Sequence, residues 1–322
     1  MSALQAWLDQ PSVTIMLIGA LVGIAASLLG AFLVLRRESM LSDAISHSVL
    51  LGIVVVYLLT GTVDTPLQVV GAALAGLVTV WATDLLVRSR RVKQDAAIGL
   101  VFPALFAVAV LLINLYARDV HLDTDAVLLG EIAFAWLDVV SLGQLEVARS
   151  LLTMLVITAV NLAFVVLLYK ELKLATFDPG LATALGKRPT LVGYALLGLV
   201  SVTAVGAFDA VGAILFVAFV IVPPTTAYLL TDRLWRMLAY GCVVAVGSSL
   251  AGYALARAYD VSVGGSMASA TGAFLLLALL FGRHGLIARA LGRRAPRAPQ
   301  AADGSVVAEV SLAGPAEHGR GS

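Results

Sequence analysis

An acidic residue and a histidine lie four positions apart in the stretch SDAISHSVLLGIVVVYLL, residues 42–59. If this stretch is a helix, Asp43 and His47 share one face, because residues i and i+4 are neighbours on a helix surface. A carboxylate oxygen and an imidazole nitrogen are ligands that suit Mn²⁺, Fe²⁺ or Zn²⁺. The pair predicts a metal site, although two ligands do not complete a metal shell.

A structural interpretation of the same two residues stays open at this point. Ionisable groups are expensive in lipid, about 3 kcal/mol or more near the bilayer centre, so each needs a reason to be there. Asp43 would cap the start of the helix in this alternative, and His47 would hydrogen-bond a neighbouring helix. Ser39 and Ser46 flank the pair and fit either interpretation.

The composition indicates the kind of molecule that positions this pair. Of 322 residues, 60% are hydrophobic and 13% are charged, which leaves too little polar surface for a soluble protein of this size. Helices satisfy their own backbone hydrogen bonds in lipid, so the sequence predicts an all-α polytopic membrane protein. We predict about nine transmembrane helices, at 12–35, 42–59, 66–87, 96–116, 149–169, 190–207, 211–230, 235–257 and 264–282.

The basic residues predict the orientation. With nine spans, all of the 21 Lys and Arg residues except Arg118, Arg149 and Arg257 lie on one side. Because basic residues concentrate in cytoplasmic loops, the N-terminus is predicted outside and the C-terminus in the cytoplasm. The transmembrane domain is predicted to cover 1–282. The tail, 283–322, is rich in Ala, Pro and Gly and is predicted to be disordered.

Other ionisable groups have simpler interpretations. Asp84 precedes Arg88 by one helical turn, which favours an ion pair. Asp209 lies in the short predicted turn at 208–210 between two spans, where it would form the turn or line the outer mouth of a pathway. The segment 118–131 is predicted outside the membrane, either as a solvated loop or as a cation funnel or docking surface; its candidate residues are His121, Asp123 and Asp125.

The longest inner loop, 170–189, carries signals for a short helix. Asp178 suits the cap position, Pro179 the first helical position and Gly186 the residue that ends the helix, so we predict a helix over 179–185 at the cytoplasmic surface. The sequence contains no GxxxxGK[ST] phosphate-binding loop. Transport driven by ATP would therefore need a separate hydrolysing subunit.

Five segments together resemble a known family, in order over about residues 12–282: MLSDAISHSVLLG, QDAAIGLVFPALFAVAVLLI, HLDTDAVLLGEI, FDPGLATALG and DAVGAILFVAFVIVPPTTAYLLTDR. The combination is similar to the permease subunit of divalent-metal ABC importers, the manganese/zinc/iron family. This resemblance implies a multi-pass protein of the bacterial inner membrane that is not itself an enzyme.

The resemblance also implies roles and partners. It places Asp43 and His47 in the metal pathway, and it implies that the inner loop docks the ATPase through Phe177, Asp178, Pro179, Gly180, Gly186 and Lys187. The implied partners are a cytoplasmic ATP-binding subunit, an extracytoplasmic metal-binding protein, a second permease subunit and membrane lipid, with no nucleic acid. No cofactor is expected to stay bound. The stretch HLDTDAVLLGEIAF favours manganese as the transported ion, with zinc or iron as alternatives.

Three rival functions remain for comparison. A permease for a larger metal chelate would need a wide cavity lined by aromatic residues. An ion-coupled secondary carrier usually has more charges near the midplane or matched broken helices in two halves. An intramembrane enzyme is disfavoured because neither GxSxG nor HExxH occurs in the sequence.

Overall fold

The computed structural model describes residues 10–61, 66–116, 132–142 and 145–282. The elements in chain order are α1 (Pro11–Arg36), α2 (Met40–Thr60), α3 (Pro66–Arg88), α4 (Gln94–Tyr116), β1 (Val139–Leu142), β2 (Leu145–Ala148), α5 (Arg149–Leu167), α6 (Tyr169–Phe177), α7 (Pro179–Ala184), α8 (Pro189–Leu230), α9 (Leu234–Tyr259) and α10 (Val263–Phe281). The prediction of an all-α polytopic membrane protein is confirmed. Eight helices in this part of the chain are long and apolar enough to cross a membrane.

One small feature departs from the all-α prediction. The strands β1 and β2 form an antiparallel hairpin in which Val139 pairs with Ala148. The hairpin leads directly into α5, and Arg149 donates its backbone N–H to the carbonyl of Asp138, the residue before β1, over 2.8 Å. The hairpin therefore fixes the start of α5, and Ala148 at its end joins the buried core.

The longest helix, α8, is two helices joined at a glycine. Its 42 residues would extend about 63 Å at 1.5 Å per residue, twice the roughly 30 Å of hydrocarbon in a bilayer. Gly212 interrupts it with φ 78° and ψ 168°, a conformation that needs a residue without a side chain. We call 189–211 the first half of α8 and 213–230 the second half.

The two halves of α8 run in opposite directions. Gly193, near the start of the first half, packs against Arg36 at the end of α1, and Val211 ends the first half beside the first residues of α10. The second half then follows α10 along its length, because the carbonyl of Leu229 lies against the last residues of α10. The predicted turn at 208–210 was wrong in position: those residues are helical, and the chain reverses at Gly212.

Close helix contacts form the centre of the molecule. A side chain on Gly30 of α1 would overlap the backbone carbonyl of Val220 in the second half of α8. Between α1 and α9, Gly241 similarly faces the hydroxyl of Ser27. Small residues at such crossings let helices approach closely, which in lipid replaces the hydrophobic effect as the source of packing energy. We call α1, α8 and α9 the core helices.

A second set of helices holds the candidate pair. The chain leaves α1 through Arg37 in a left-handed conformation with φ 60°, and α2 begins at Met40. Helix α3 packs on one side of α2, where Gly52 meets the backbone of Gly71, and α4 packs on another side of α2. We call α2 and α4 the site helices.

Candidate functional site

Asp43 and His47 lie together on the first half of α2, as their spacing predicts. The imidazole Nε2 is 3.7 Å from the carboxylate Oδ1 of Asp43, and both side chains are about one-third exposed, at 33% and 36%. This separation is longer than a hydrogen bond. Two ligands about 2.1 Å from one ion stand roughly 3.0–3.4 Å apart, so a shift of a few tenths of an ångström brings both onto a shared metal.

The geometry disfavours the structural interpretation of the pair. The cap position of α2 belongs to Ser39, while Asp43 lies further along and faces His47. The hydroxyls of Ser42 and Ser46 donate to backbone carbonyls of the residues at positions 39 and 42, over 2.7 and 2.8 Å. The hydroxyls of these serines therefore form hydrogen bonds within α2 itself, and the carboxylate of Asp43 remains directed at the imidazole of His47.

The imidazole is held by aromatic rings instead of by a hydrogen bond to a neighbouring helix. Phe102 of α4 stacks on His47 with ring centroids 5.5 Å apart and an interplanar angle of 25°. Phe106 meets the same imidazole edge-on, at 6.2 Å and 83°. Sequence reasoning missed both rings. The sequence feature that could have indicated them is the i, i+4 spacing of the two aromatic residues in FPALF, which equals the spacing of Asp43 and His47.

Within this chain the pair would form only an open metal site. Among the described residues, no group of three or more His, Cys, Asp or Glu side chains lies close enough to hold a metal ion. Two protein ligands leave the remaining coordination positions to water or to a partner. Such a site binds a partly hydrated cation and also releases it, which a closed four-ligand shell does poorly.

A cavity of about 400 Å³ opens where the ends of α1 and α3 meet the start of α8. Its wall includes Asp84, whose carboxylate accepts from Arg88 at 2.7 Å and from the hydroxyl of Tyr194 at 2.9 Å. The predicted ion pair between Asp84 and Arg88 is confirmed. The tyrosine, which sequence reasoning missed, connects α3 to α8.

The short helix α7 borders this cavity and has the predicted end signals. Asp178 accepts the backbone N–H of Leu181 through its carboxylate at 2.8 Å, and Pro179 takes the first helical position. Gly186 ends the helix with φ +74°, and the N–H of Lys187 donates to the carbonyl of Ala182 at 2.9 Å. The helix covers Pro179–Ala184, one residue shorter than predicted.

The surface around α7 is apolar and accessible. Phe177 at the end of α6, Leu181 on α7 and Leu185 just after α7 are 60%, 47% and 62% exposed. Lys187 donates to Glu171 of α6 at 3.0 Å, and this contact holds the pKa of the Glu171 carboxyl below its ordinary value. Three large exposed apolar side chains around one short helix suit a protein partner better than solvent.

The outer-mouth residues have a different outcome. Asp209 is exposed and helical in the first half of α8, so its predicted role in forming a turn is wrong, while its alternative role at the outer mouth stays a prediction. His121, Asp123 and Asp125 lie outside the described residues. The tail at 283–322 also lies outside them.

Comparison with known proteins is consistent with this geometry. The model of the ABC 3 transport family matches residues 11–282. A zinc transport system membrane protein, TroD of Treponema pallidum, is 49% identical over 87% of this chain and 77% of its own length. A manganese transport system membrane protein, MntD of Bacillus subtilis, is 44% identical over 85% of this chain and 93% of its own.

A solved structure has the same arrangement of helices. PsaBC from Streptococcus pneumoniae, determined in complex with a Fab, superposes with a TM-score of 0.70 at 26% identity. The match covers 84% of this chain and 91% of the other.

Proposed function

This chain belongs to the ABC 3 transport family and is the membrane permease of an ABC importer, and we propose that it carries manganese through Asp43 and His47. The observation that supports the site is the separation of 3.7 Å between imidazole and carboxylate on a membrane-spanning helix. Relatives named for manganese and for zinc transport support a divalent transition metal as the cargo. Zinc or iron is the alternative within the same chemistry.

The chemistry of the pair explains how an ion can enter an apolar region. The positive charge of the cation offsets part of the cost of placing the Asp43 carboxylate in the membrane. The neutral imidazole of His47 supplies a ligand without adding charge. Because the shell is completed by water or a partner, the ion exchanges rather than staying bound.

Two further subunits belong to the proposal. The pair lies at the surface of the single chain, about one-third exposed, and a second permease subunit against α2 and α4 would enclose it. The exposed apolar surface formed by Phe177, Leu181 and Leu185 is the one we assign to the ATP-binding subunit. An extracytoplasmic metal-binding protein would deliver the ion from outside.

The proposed selectivity has a measurable consequence. For a given set of ligands, affinity rises from Mn²⁺ toward Zn²⁺, so the pair alone prefers zinc. Selection of manganese then depends on the protein that delivers it. We expect zinc to bind the permease at least as tightly as manganese in equilibrium titrations that omit the delivering protein, and to block manganese uptake. Tighter binding of manganese, lost in His47→Ala, would instead show that the permease selects.

The decisive test of the site is uptake by single variants. Asp43→Ala and His47→Ala should each reduce ⁵⁴Mn²⁺ uptake to the level of cells without the permease, with normal amounts in the membrane and normal association with the ATPase. Asp95→Ala, an exposed aspartate in the first turn of α4, is the matched control and should transport normally. Wild-type uptake by the double variant Asp43→Ala/His47→Ala would refute the assignment.

The metal-chelate alternative makes a different prediction. A chelate would be recognised through its organic part, so transport would tolerate loss of His47 and would require the chelator. Uptake of free Mn²⁺ that depends on His47 excludes this alternative. Two rings beside the pair, Phe102 and Phe106, are too few to enclose a large organic ligand.

A further inference from the structure

Two aromatic residues of α4 enclose the imidazole of His47 from two directions. Phe102 covers one face of the ring, and Phe106 approaches it edge-on. The two phenylalanines are four residues apart, as are Asp43 and His47, so each pair forms a row along its own helix. The aromatic row of α4 therefore lies directly against the ligand row of α2.

The two phenylalanine rings leave the nitrogen-bearing edge of the His47 imidazole uncovered. An imidazole binds metal through its ring edge, where the nitrogens lie, whereas stacking uses the ring face. With Phe102 on the face, the edge that carries Nε2 is directed toward Asp43 at 3.7 Å. The side chain of His47 is 33% exposed, and without the stacked ring its two side-chain torsions could turn the nitrogen away.

We propose that Phe102, supported by Phe106, is a positioning residue that sets the orientation of the His47 imidazole for the transported ion. The proposal rests on the proposed function, because it assumes that His47 is a ligand. Metal-binding histidines are generally oriented by a partner outside the coordination shell, most often through a hydrogen bond. Here the orienting contact is an aromatic stack.

The backbone of α4 is weakened near Phe102, so the stack of Phe102 on His47 depends on the packing of α4 against α2. Pro103 has no N–H to donate, so the carbonyl of Gly99 lacks its usual partner one turn earlier, and the helix is weakened next to Phe102. A methyl group added at Gly99 would meet nothing within 4 Å, so no neighbour supports this turn from that side. The apolar cluster of Leu50 and Val54 with Ala109 then holds α4 against α2.

The test measures equilibrium binding of Mn²⁺ and of Zn²⁺, each added alone, to the full chain assembled with its partner subunits. Phe102→Leu keeps an apolar side chain but removes the stack, and should weaken binding between about twofold and tenfold, the range expected for one aromatic pair. Phe102→Tyr keeps the ring and should restore wild-type binding. Phe281→Leu, the same change at a residue 72% exposed at the end of α10, should have no effect.

A double variant separates positioning from general damage. If Phe102 acts only through His47, Phe102→Leu should cause no further loss of binding in the His47→Ala background. Equal loss in both backgrounds, or wild-type binding by Phe102→Leu, would overturn the proposal. Should Phe102→Leu fail to assemble, Phe106→Leu takes its place in the same cycle.

The same data distinguish this proposal from the proposed function. Wild-type metal binding by His47→Ala would show that the ligand assignment fails. Loss of binding in His47→Ala together with full binding in Phe102→Leu would leave the ligand assignment intact and refute only the positioning role.

Discussion

Helix α1 of the core helices and helix α4 of the site helices differ in how much of their surface the molecule itself buries. The most apolar stretch of α1 is 72% buried, whereas that of α4 is 22% buried. Backbones of the core helices approach each other directly, as Gly30 does to Val220. Helices α2 and α4 are connected to each other through side chains such as Leu50, Val54 and Ala109, and α4 presents most of its surface to lipid or to a partner.

The two regions also differ in polarity. Among the described residues, the buried polar side chains are all serine, threonine or asparagine, and none is ionisable. Asp43 and His47 lie on the site helices, where both are partly exposed. Helix α2 therefore has two faces: Ala44, Ile45 and Val49 belong to the buried core, while Asp43 and His47 lie on the partly exposed side, so packing and the proposed site can be tested by separate mutations.

The largest expected effect separates the two regions with one kind of substitution. Gly30→Ala forces apart two backbones that are in contact, so it should destabilise the protein by about 3 kcal/mol or more and remove most of the folded permease. Gly99→Ala on α4 has open space and should be stable, since alanine favours helix by about 1 kcal/mol. Size-exclusion profiles and thermal unfolding in detergent measure both. Equal stability of the two variants would contradict the comparison.

A smaller effect is expected from the polar contact inside the core. Asn161 of α5 donates to the hydroxyl of Thr203 at 2.8 Å and to the carbonyl of Ala25 at 3.4 Å, which ties α5 to α8 and α1. Asn161→Ala should destabilise the protein by up to about 1.7 kcal/mol, as interhelical hydrogen bonds in membranes do. Asn114→Ala is the control, because Asn114 donates to Val110 within its own helix. A larger loss in the control would show that the core bond contributes little.

The contact that joins the two regions should matter slightly less. Tyr194 of α8 donates to Asp84 of α3, and α3 packs beside α2. Tyr194→Phe removes one hydrogen bond while Arg88 still pairs with Asp84, so about 1 kcal/mol should be lost. Tyr228→Phe, at an exposed position, is the control for thermal unfolding. Unchanged stability combined with reduced transport would show that the contact controls movement instead.

The smallest effect is expected at the loop pair outside both regions. Hydrogen bonding to Lys187 lowers the pKa of Glu171 from its ordinary value of 4.5, so this contact stabilises the loop above that pH and is lost as the pH falls through the lowered pKa. Hydrogen exchange at the amide of Lys187 should therefore stay constant from pH 7 to about 5, after correction for intrinsic rates, and show less protection in Glu171→Gln. Glu146→Gln on β2 should leave it unchanged. Equal protection in wild type and Glu171→Gln would show that the pair does not order the loop.

Local signals in the sequence predicted much of this structure. Apolar runs gave the positions of the long helices, and the spacing of Asp84 and Arg88 predicted their ion pair. The end signals of α7 also worked, because Asp178, Pro179 and Gly186 each act on their own backbone or that of near neighbours. The closeness of Asp43 and His47 was predictable because the two residues are separated by about one helical turn.

The features that were missed depend on contacts between distant segments. The stacking of Phe102 on His47 requires the register of α4 against α2, and neither segment encodes that register alone. The reversal was assigned to 208–210 because these residues separate two predicted apolar spans, whereas Gly212 is the residue that adopts φ 78°. The hydrogen bond from Tyr194 to Asp84 joins residues 110 positions apart. Contacts between residues so far apart in the chain are determined by helix packing, which a single sequence does not display.

The reversal at Gly212 has a mechanical consequence. Most antiparallel neighbouring helices in a membrane are joined by a flexible loop, which allows one helix to move before the other follows. The two halves of α8 are joined by a single residue, Gly212, without a flexible loop. Any displacement of the first half therefore moves the second half as well. Since α7 precedes α8 by a short connection, a displacement of α7 would pass along the first half of α8 to Gly212 and return along the second half.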